Sequence, residues 1–185
     1  IEISRVIIRN NEPTKTVVAS LEVDRKFKVL SKGTSDGEYF LEPFDNINVR
    51  KAFNYAIDRE SIVTYTLQGE GRPALYGIIP PFKGYNYEGV KGYEFSPKKA
   101  QEYMAKAGYP RGKGFPEITF QINSGGGGRN VQISEVVQKM LSENLGITVN
   151  IEQLQLGQQR MNIETGNAIF WKAGWRMPLK MLPRA

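Results

Sequence analysis

Residues Asn123 to Asn130 read NSGGGGRN, with four consecutive glycines, Gly125 to Gly128, between an alternating apolar stretch and a helical one. Glycines in that place can cradle a phosphate, because backbone amides approach the anion and a helix N-terminus favours negative charge. A P-loop needs GxxxxGK followed by Ser or Thr, the lysine reaching the phosphates and the hydroxyl holding magnesium. Here the run continues into Arg129, Asn130 and Val131. The dinucleotide pattern GxGxxG is not met either, and the ribose-binding acid due about twenty residues on would have to be Glu152, inside the next predicted strand's end. A flexible loop at the carboxyl edge of a sheet is the stronger reading. That edge is where open α/β sheets place ligand sites.

Catalytic chemistry finds little support. The chain has no histidine and no cysteine, which removes imidazole bases, thiol nucleophiles and the usual zinc ligands. Glu135, Glu143 and Glu164 fall on predicted helix surfaces, while Asp58 and Glu60 fit helix capping and the first-turn preference for negative charge. No Ser-x-x-Lys stands in a convincing setting. A binding protein and no enzyme, with no metal and no cofactor, is the expectation. Tyr76, Phe82, Tyr85, Tyr87 and Tyr93 cluster and could stack bases, but packing within a long loop accounts for them better. Lys and Arg number 25 against 19 Asp and Glu, a net +6 spread along the chain without a block of like charge. No nucleic acid is expected as partner.

These residues must be positioned by an α/β fold. Val49, Ala52, Phe53, Ala56 and Ile57 follow the stripe of a one-sided helix, capped by Asp45 or Asn46. Asp58 can cap a second helix carrying Ile62, Val63 and Leu67, ended by Gly69. More than twenty residues rich in Gly, Pro and Tyr follow, from Gly71 to Tyr93. Ser96-Pro97 starts a helix with Ala100, Tyr103, Met104 and Ala107 buried and Gly108 after it. Ile118, Phe120 and Ile122 alternate as a strand. Ile133, Val136, Val137, Met140 and Leu141 form a helical stripe ended by Gly146, and Ile147, Val149 and Ile151 alternate again. That order is a βαβ unit, which should be parallel and right-handed. A short helix near Gln158 to Glu164 and a strand near Ala168 to Ala173 complete the reading, with Ile3 to Ile8 and Phe27 to Leu30 as further strands. Trp171 in the last predicted strand and Trp175 just after it, four apart, would share a sheet face if the strand runs through both, so that at least one could face a cleft.

The local signals add up to a known pattern. NVRKAFNYAIDRESIVTYTLQGEGRPALYGIIPP, Asn48 to Pro81, resembles the signature of extracellular solute-binding proteins of the oligopeptide- and dipeptide-binding type. FSPKKAQEYMAKAGYPRGKGFPEITFQINSG, ENLGITVNIEQLQ and TGNAIFWKAGW are similar to the blocks that follow in that family. The resemblance implies one lobe of a two-lobed periplasmic-binding-protein fold, with a mixed or parallel sheet flanked by helices. Residues 1–43 would be an N-terminal segment passing between lobes and 44–185 the second-lobe domain of a longer receptor whose first lobe is missing. It further implies the substrate-binding component of an ABC transporter, with a peptide or other small solute and a membrane permease as partners. The location would be periplasmic or at the cell surface, with a possible lipid anchor. Asn123, Ser124, Gly125 and Trp175 would line the ligand cleft, and Leu156 stands where some peptide binders place a tryptophan. One departure concerns the peptide's amino group: peptide-binding members carry an acid soon after the GW pair, whereas RMPLKMLPRA follows Trp175 here. A stand-alone interaction domain that reuses the cleft face is the alternative.

Overall fold

The computed structural model describes residues 42–76, 86–90 and 92–174. Within them lie five α-helices and a parallel three-stranded sheet. The expected strands at Ile3 to Ile8 and Phe27 to Leu30, and all of the N-terminal segment before residue 42, lie outside the described residues.

Helix α1, Ile47–Ala56, forms where the stripe places it. Asn46 caps it, its Oδ1 accepting from the amide of Asn48 at 2.9 Å, and Val49, Ala52, Phe53 and Ala56 are buried. Asp58 then caps a single helical turn, α2, Arg59–Ser61, accepting from the amide and hydroxyl of Ser61 at 3.0 and 2.6 Å. The second helix does not continue as a regular α-helix: Ile62–Thr66 is a π-turn, and the chain leaves it through Gln68 and Gly69, both at positive φ. Arg59 closes this corner by donating to the carbonyl and side-chain oxygens of Asn54.

Helix α3, Pro97–Lys106, begins at Ser96 as its Ser-Pro start requires and buries Ala100 and Met104 against α1. Strand β1, Ile118–Asn123, follows a tight turn at Pro110–Gly112. In that turn Gly112 sits at φ +75, and a Cβ there would stand 2.2 Å from the carbonyl oxygen of Gly146.

Helix α4, Gly127–Leu145, crosses over to strand β2, Val149–Leu154. Helix α5, Leu156–Glu164, leads to strand β3, Phe170–Trp171. The strand order is β2-β1-β3 and every pair is parallel, so the predicted βαβ unit is present. Two extents differ from expectation. β3 has two residues instead of the six of Ala168 to Ala173, because only Phe120 and Gln121 offer it ladder partners. α5 starts two residues earlier than Gln158, with Gln155 as its cap residue.

The core lies on one face of the sheet. Ile118, Phe120 and Ile122 of β1 and Phe170 of β3 point to it, where α1, α3 and α4 cover them. Phe44, Phe53, Phe120 and Phe170 pack as one ring cluster with centroids 4.3 to 5.8 Å apart. On the other face Gln121 is also buried, so β1 is covered on both sides at that position.

Candidate functional site at the carboxyl edge of the sheet

β1 and β2 end side by side, Asn123 in register with Leu154. The glycines do not form the loop expected of them. Ser124–Gly126 is a single 3-10 turn, and Gly127 and Gly128 already open α4. The connection is this short because Gly127 takes φ +60, which turns the chain directly into the helix. Asn123 caps the 3-10 turn, its Oδ1 accepting from the amide of Gly125 at 3.1 Å.

Beside this turn is an open depression of about 790 Å³, lined by Ser124, Gln153, Leu154, Gln155 and Gln158. The Ser124 hydroxyl and the Gln155 side-chain oxygen lie 3.4 Å apart. The lining is therefore one hydroxyl, three carboxamides and one aliphatic side chain. The hydroxyl and the carboxamides donate and accept hydrogen bonds without carrying charge. Leu156, the first residue of α5, is 45% exposed next to Gln155.

Of the residues singled out from sequence, Asn123, Ser124, Gly125 and Leu156 thus gather around the ends of β1 and β2. Trp175 lies outside the described residues. Trp171, in β3, pairs with Gln121. The tyrosines pack against one another away from this edge: Tyr55 lies edge-on to Tyr93 and stacked on Tyr103, and Tyr76 meets Tyr87 edge-on. Phe82 and Tyr85 lie outside the described residues. A second hollow of about 840 Å³, bordered by Tyr55, Asp58, Tyr76, Tyr93 and Lys99, opens on the α2–α3 side.

Behind the carboxyl edge runs a polar network that sequence reasoning missed. Gln159 of α5, 2% exposed, donates to the carbonyls of Gln121 and Lys172 at 3.0 and 3.1 Å. Gln121 in turn donates to Glu152 at 2.8 Å and accepts from Asn162 at 3.3 Å. The Lys172 ammonium donates to Asn130 Oδ1 at 2.6 Å, and burial holds that lysine below its ordinary pKa. Asn130 Nδ2 reaches both oxygens of Asn123, the carbonyl at 3.2 Å and Oδ1 at 3.3 Å. A polar residue inside the apolar stripe of α4 (Asn130, one turn before Ser134 and two before Val137) was the available signal. At the start of α4 Arg129 pairs with Glu70 at 2.6 Å, both exposed. Among the described residues no group of three or more acidic, histidine or cysteine side chains is placed to hold a metal ion.

Sequence and shape both relate this chain to known proteins. The family model of bacterial extracellular solute-binding proteins, family 5 (middle region), matches residues 9–179. The oligopeptide-binding protein OppA of Bacillus subtilis is 30% identical over 140 residues, 72% of this chain and 25% of that protein. Heme-binding protein A of Haemophilus influenzae is 34% identical over 105 residues, 54% of this chain and 19% of that protein. The solved structure of the periplasmic binding protein DppA of Helicobacter pylori, in complex with the peptide STSA, superimposes with a TM-score of 0.64 at 31% identity. That likeness covers 74% of this chain and 25% of DppA. The chain thus spans about a quarter of the length of OppA and DppA. With nearly all of its length matched by the family model, the chain belongs to the family 5 bacterial extracellular solute-binding proteins.

Proposed function

We propose that this chain is the larger part of the second lobe of a two-lobed receptor, residues 44–185, with 1–43 passing between lobes. Its role is to bind a peptide or peptide-like solute and hand it to the membrane permease of an ABC transporter. The observation that carries the reading is the uncharged lining of the carboxyl-edge depression, Ser124 with Gln153, Gln155 and Gln158. Extended peptides present alternating carbonyls and amides, and carboxamides answer both. The relatives named for oligopeptides and for a bound peptide support that choice over the relative named for heme. Asn123, Gly125 and Leu156 border the same edge, and Trp175 is assigned to it from the sequence pattern alone. The receptor works by binding and release, without a chemical step, in the periplasm or at the cell surface, where a lipid anchor would hold it.

A lobe that supplies half of an enclosing surface leaves bound solute open to water, so affinity depends on closure against the other lobe. Calorimetry with a mixture of short peptides tests this on two proteins: the 185-residue chain and the gene product that contains it together with its flanking coding sequence. Heat of binding is expected from the longer protein and none from the chain alone. Micromolar binding by the chain alone would overturn the half-site argument. A longer protein that binds no peptide, or that binds nucleic acid with a steep salt dependence, would overturn the function. Self-association of the chain through the carboxyl edge, with no solute bound, would favour the interaction-domain reading.

A further inference from the structure

We infer that Lys172 is a positioning residue that fixes which atom of the Asn123 side chain the site offers to a ligand. The inference rests on the carboxyl edge of β1 being the binding edge. A carboxamide has a donor end and an acceptor end of nearly the same shape, so its sense must be set by its neighbours. An ammonium is a donor only. Lys172 Nζ, at 2.6 Å, therefore requires the oxygen of Asn130 to face it, which turns Asn130 Nδ2 toward Asn123. The reverse sense would set Nδ2 against the ammonium and Oδ1 against the Asn123 carbonyl, donor to donor and acceptor to acceptor.

The same logic passes one residue further. Asn123 Oδ1 accepts from Asn130 Nδ2 at 3.3 Å and from the amide of Gly125 at 3.1 Å. With its oxygen held twice, Asn123 has its NH₂ end left over, and among the described residues Nδ2 has no acceptor. Asn123 is partly exposed, whereas Asn130 is buried at 9% exposure. The lysine is itself held in place, its amide donating to Gln121 O at 2.9 Å and its carbonyl accepting from Gln159. Three elements thus converge to present a donor at the end of β1. The matching ligand group is a hydrogen-bond acceptor, a peptide carbonyl or carboxylate oxygen, and not an ammonium.

Carboxamide hydrogen exchange in the ligand-free, ¹⁵N-labelled chain reads this directly. In the wild type and in K172R, which keeps a donor-only head, the Asn130 NH₂ should exchange about tenfold more slowly than that of Asn123. In K172M the difference should shrink well below tenfold, since the Asn123 carbonyl is then the one fixed partner left to set the sense of the Asn130 amide. A wild type in which Asn123 exchanges more slowly, or a K172M variant that keeps the tenfold gap, overturns the inference. Should K172M fail to fold, the wild-type ratio and K172R still decide it. No peptide enters this measurement, so its failure is separate from failure of the peptide reading. In the longer gene product, N123D replaces the outward donor by an acceptor. Peptide binding should then weaken about tenfold, as expected when one hydrogen bond to the ligand can no longer form. Unchanged affinity in N123D would also overturn it.

Discussion

Phe120 and Phe170 sit opposite each other across the β1–β3 pair, rings stacked with centroids 4.3 Å apart. This stacking joins two residues fifty positions apart and seats the two-residue strand β3 on the sheet. Phe53 meets Phe170 edge-on at 5.7 Å and Phe44 stacks on it at 5.8 Å, so a single ring serves three neighbours. Phe170→Ala removes that ring from a site that is 1% exposed. The expected cost is about 3–5 kcal/mol in urea unfolding, as is usual on truncating a buried phenylalanine. A cost under about 1 kcal/mol would mean that β3 does not hold the core together.

Gly112 provides a sharper test of backbone geometry. Its φ of +75 disfavours any side chain, and the Gly146 carbonyl oxygen 2.2 Å from the Cβ position leaves no room for one. Gly112→Ala should cost at least about 1–3 kcal/mol and lower the melting temperature. Unchanged melting would refute this close approach.

Gln159 should anchor α5 through hydrogen bonds. Gln159→Ala leaves the Lys172 carbonyl without its side-chain donor, while the Gln121 carbonyl keeps the Lys172 amide. A cost of about 1–3 kcal/mol is expected for removing this buried donor and leaving one acceptor unpaired. Amide exchange should quicken across α5 while α1 and α3 keep their protection. Uniform acceleration would indicate that α5 opens only with the whole domain.

Lys172 confers a pH dependence in the alkaline range. Burial lowers its folded pKa below the unfolded value of about 10.4, so the unfolded chain binds more protons between the two. Stability contributed by this group therefore rises with pH through that alkaline window, and the cost of burying its charge is fully present below it. The stability of wild type relative to K172M should rise as pH approaches the ordinary lysine value. A difference that falls, or stays flat, over that range would contradict the burial of this ammonium.

Where the sequence could be read, local chemistry was decisive. Asn46, Asp58 and Ser96 cap as their types predict, since a cap depends on residues within one turn. The parallel βαβ unit was legible because alternation on both sides of a long helical stripe admits few topologies. β3 was overestimated because strand length follows from available partners, and Phe120 and Gln121 alone pair with it. The glycine run looked like a loop because glycine is a poor helix former, yet the nineteen residues of α4 extend through Gly127 and Gly128. Of the candidate site, the place of Asn123 and Ser124 at the end of a strand was legible from the alternation before them. The pairing of Lys172 with Asn130 was not, because 42 residues separate them and only tertiary packing brings them to 2.6 Å. Gln121 looked outward by alternation, until α5 covered it.

The manner in which α5 is fastened has a consequence for what happens if it detaches. It meets the sheet through Gln121, Gln159 and Asn162, and Ile163 is its buried aliphatic residue. A helix held by oil exposes oil when it lifts, and the molecule then clumps. A helix held by amides bares groups that water can greet at once. Lifting α5 would therefore bare mainly amides and the one aliphatic side chain of Ile163, and leave the ring cluster on the far side of the sheet covered.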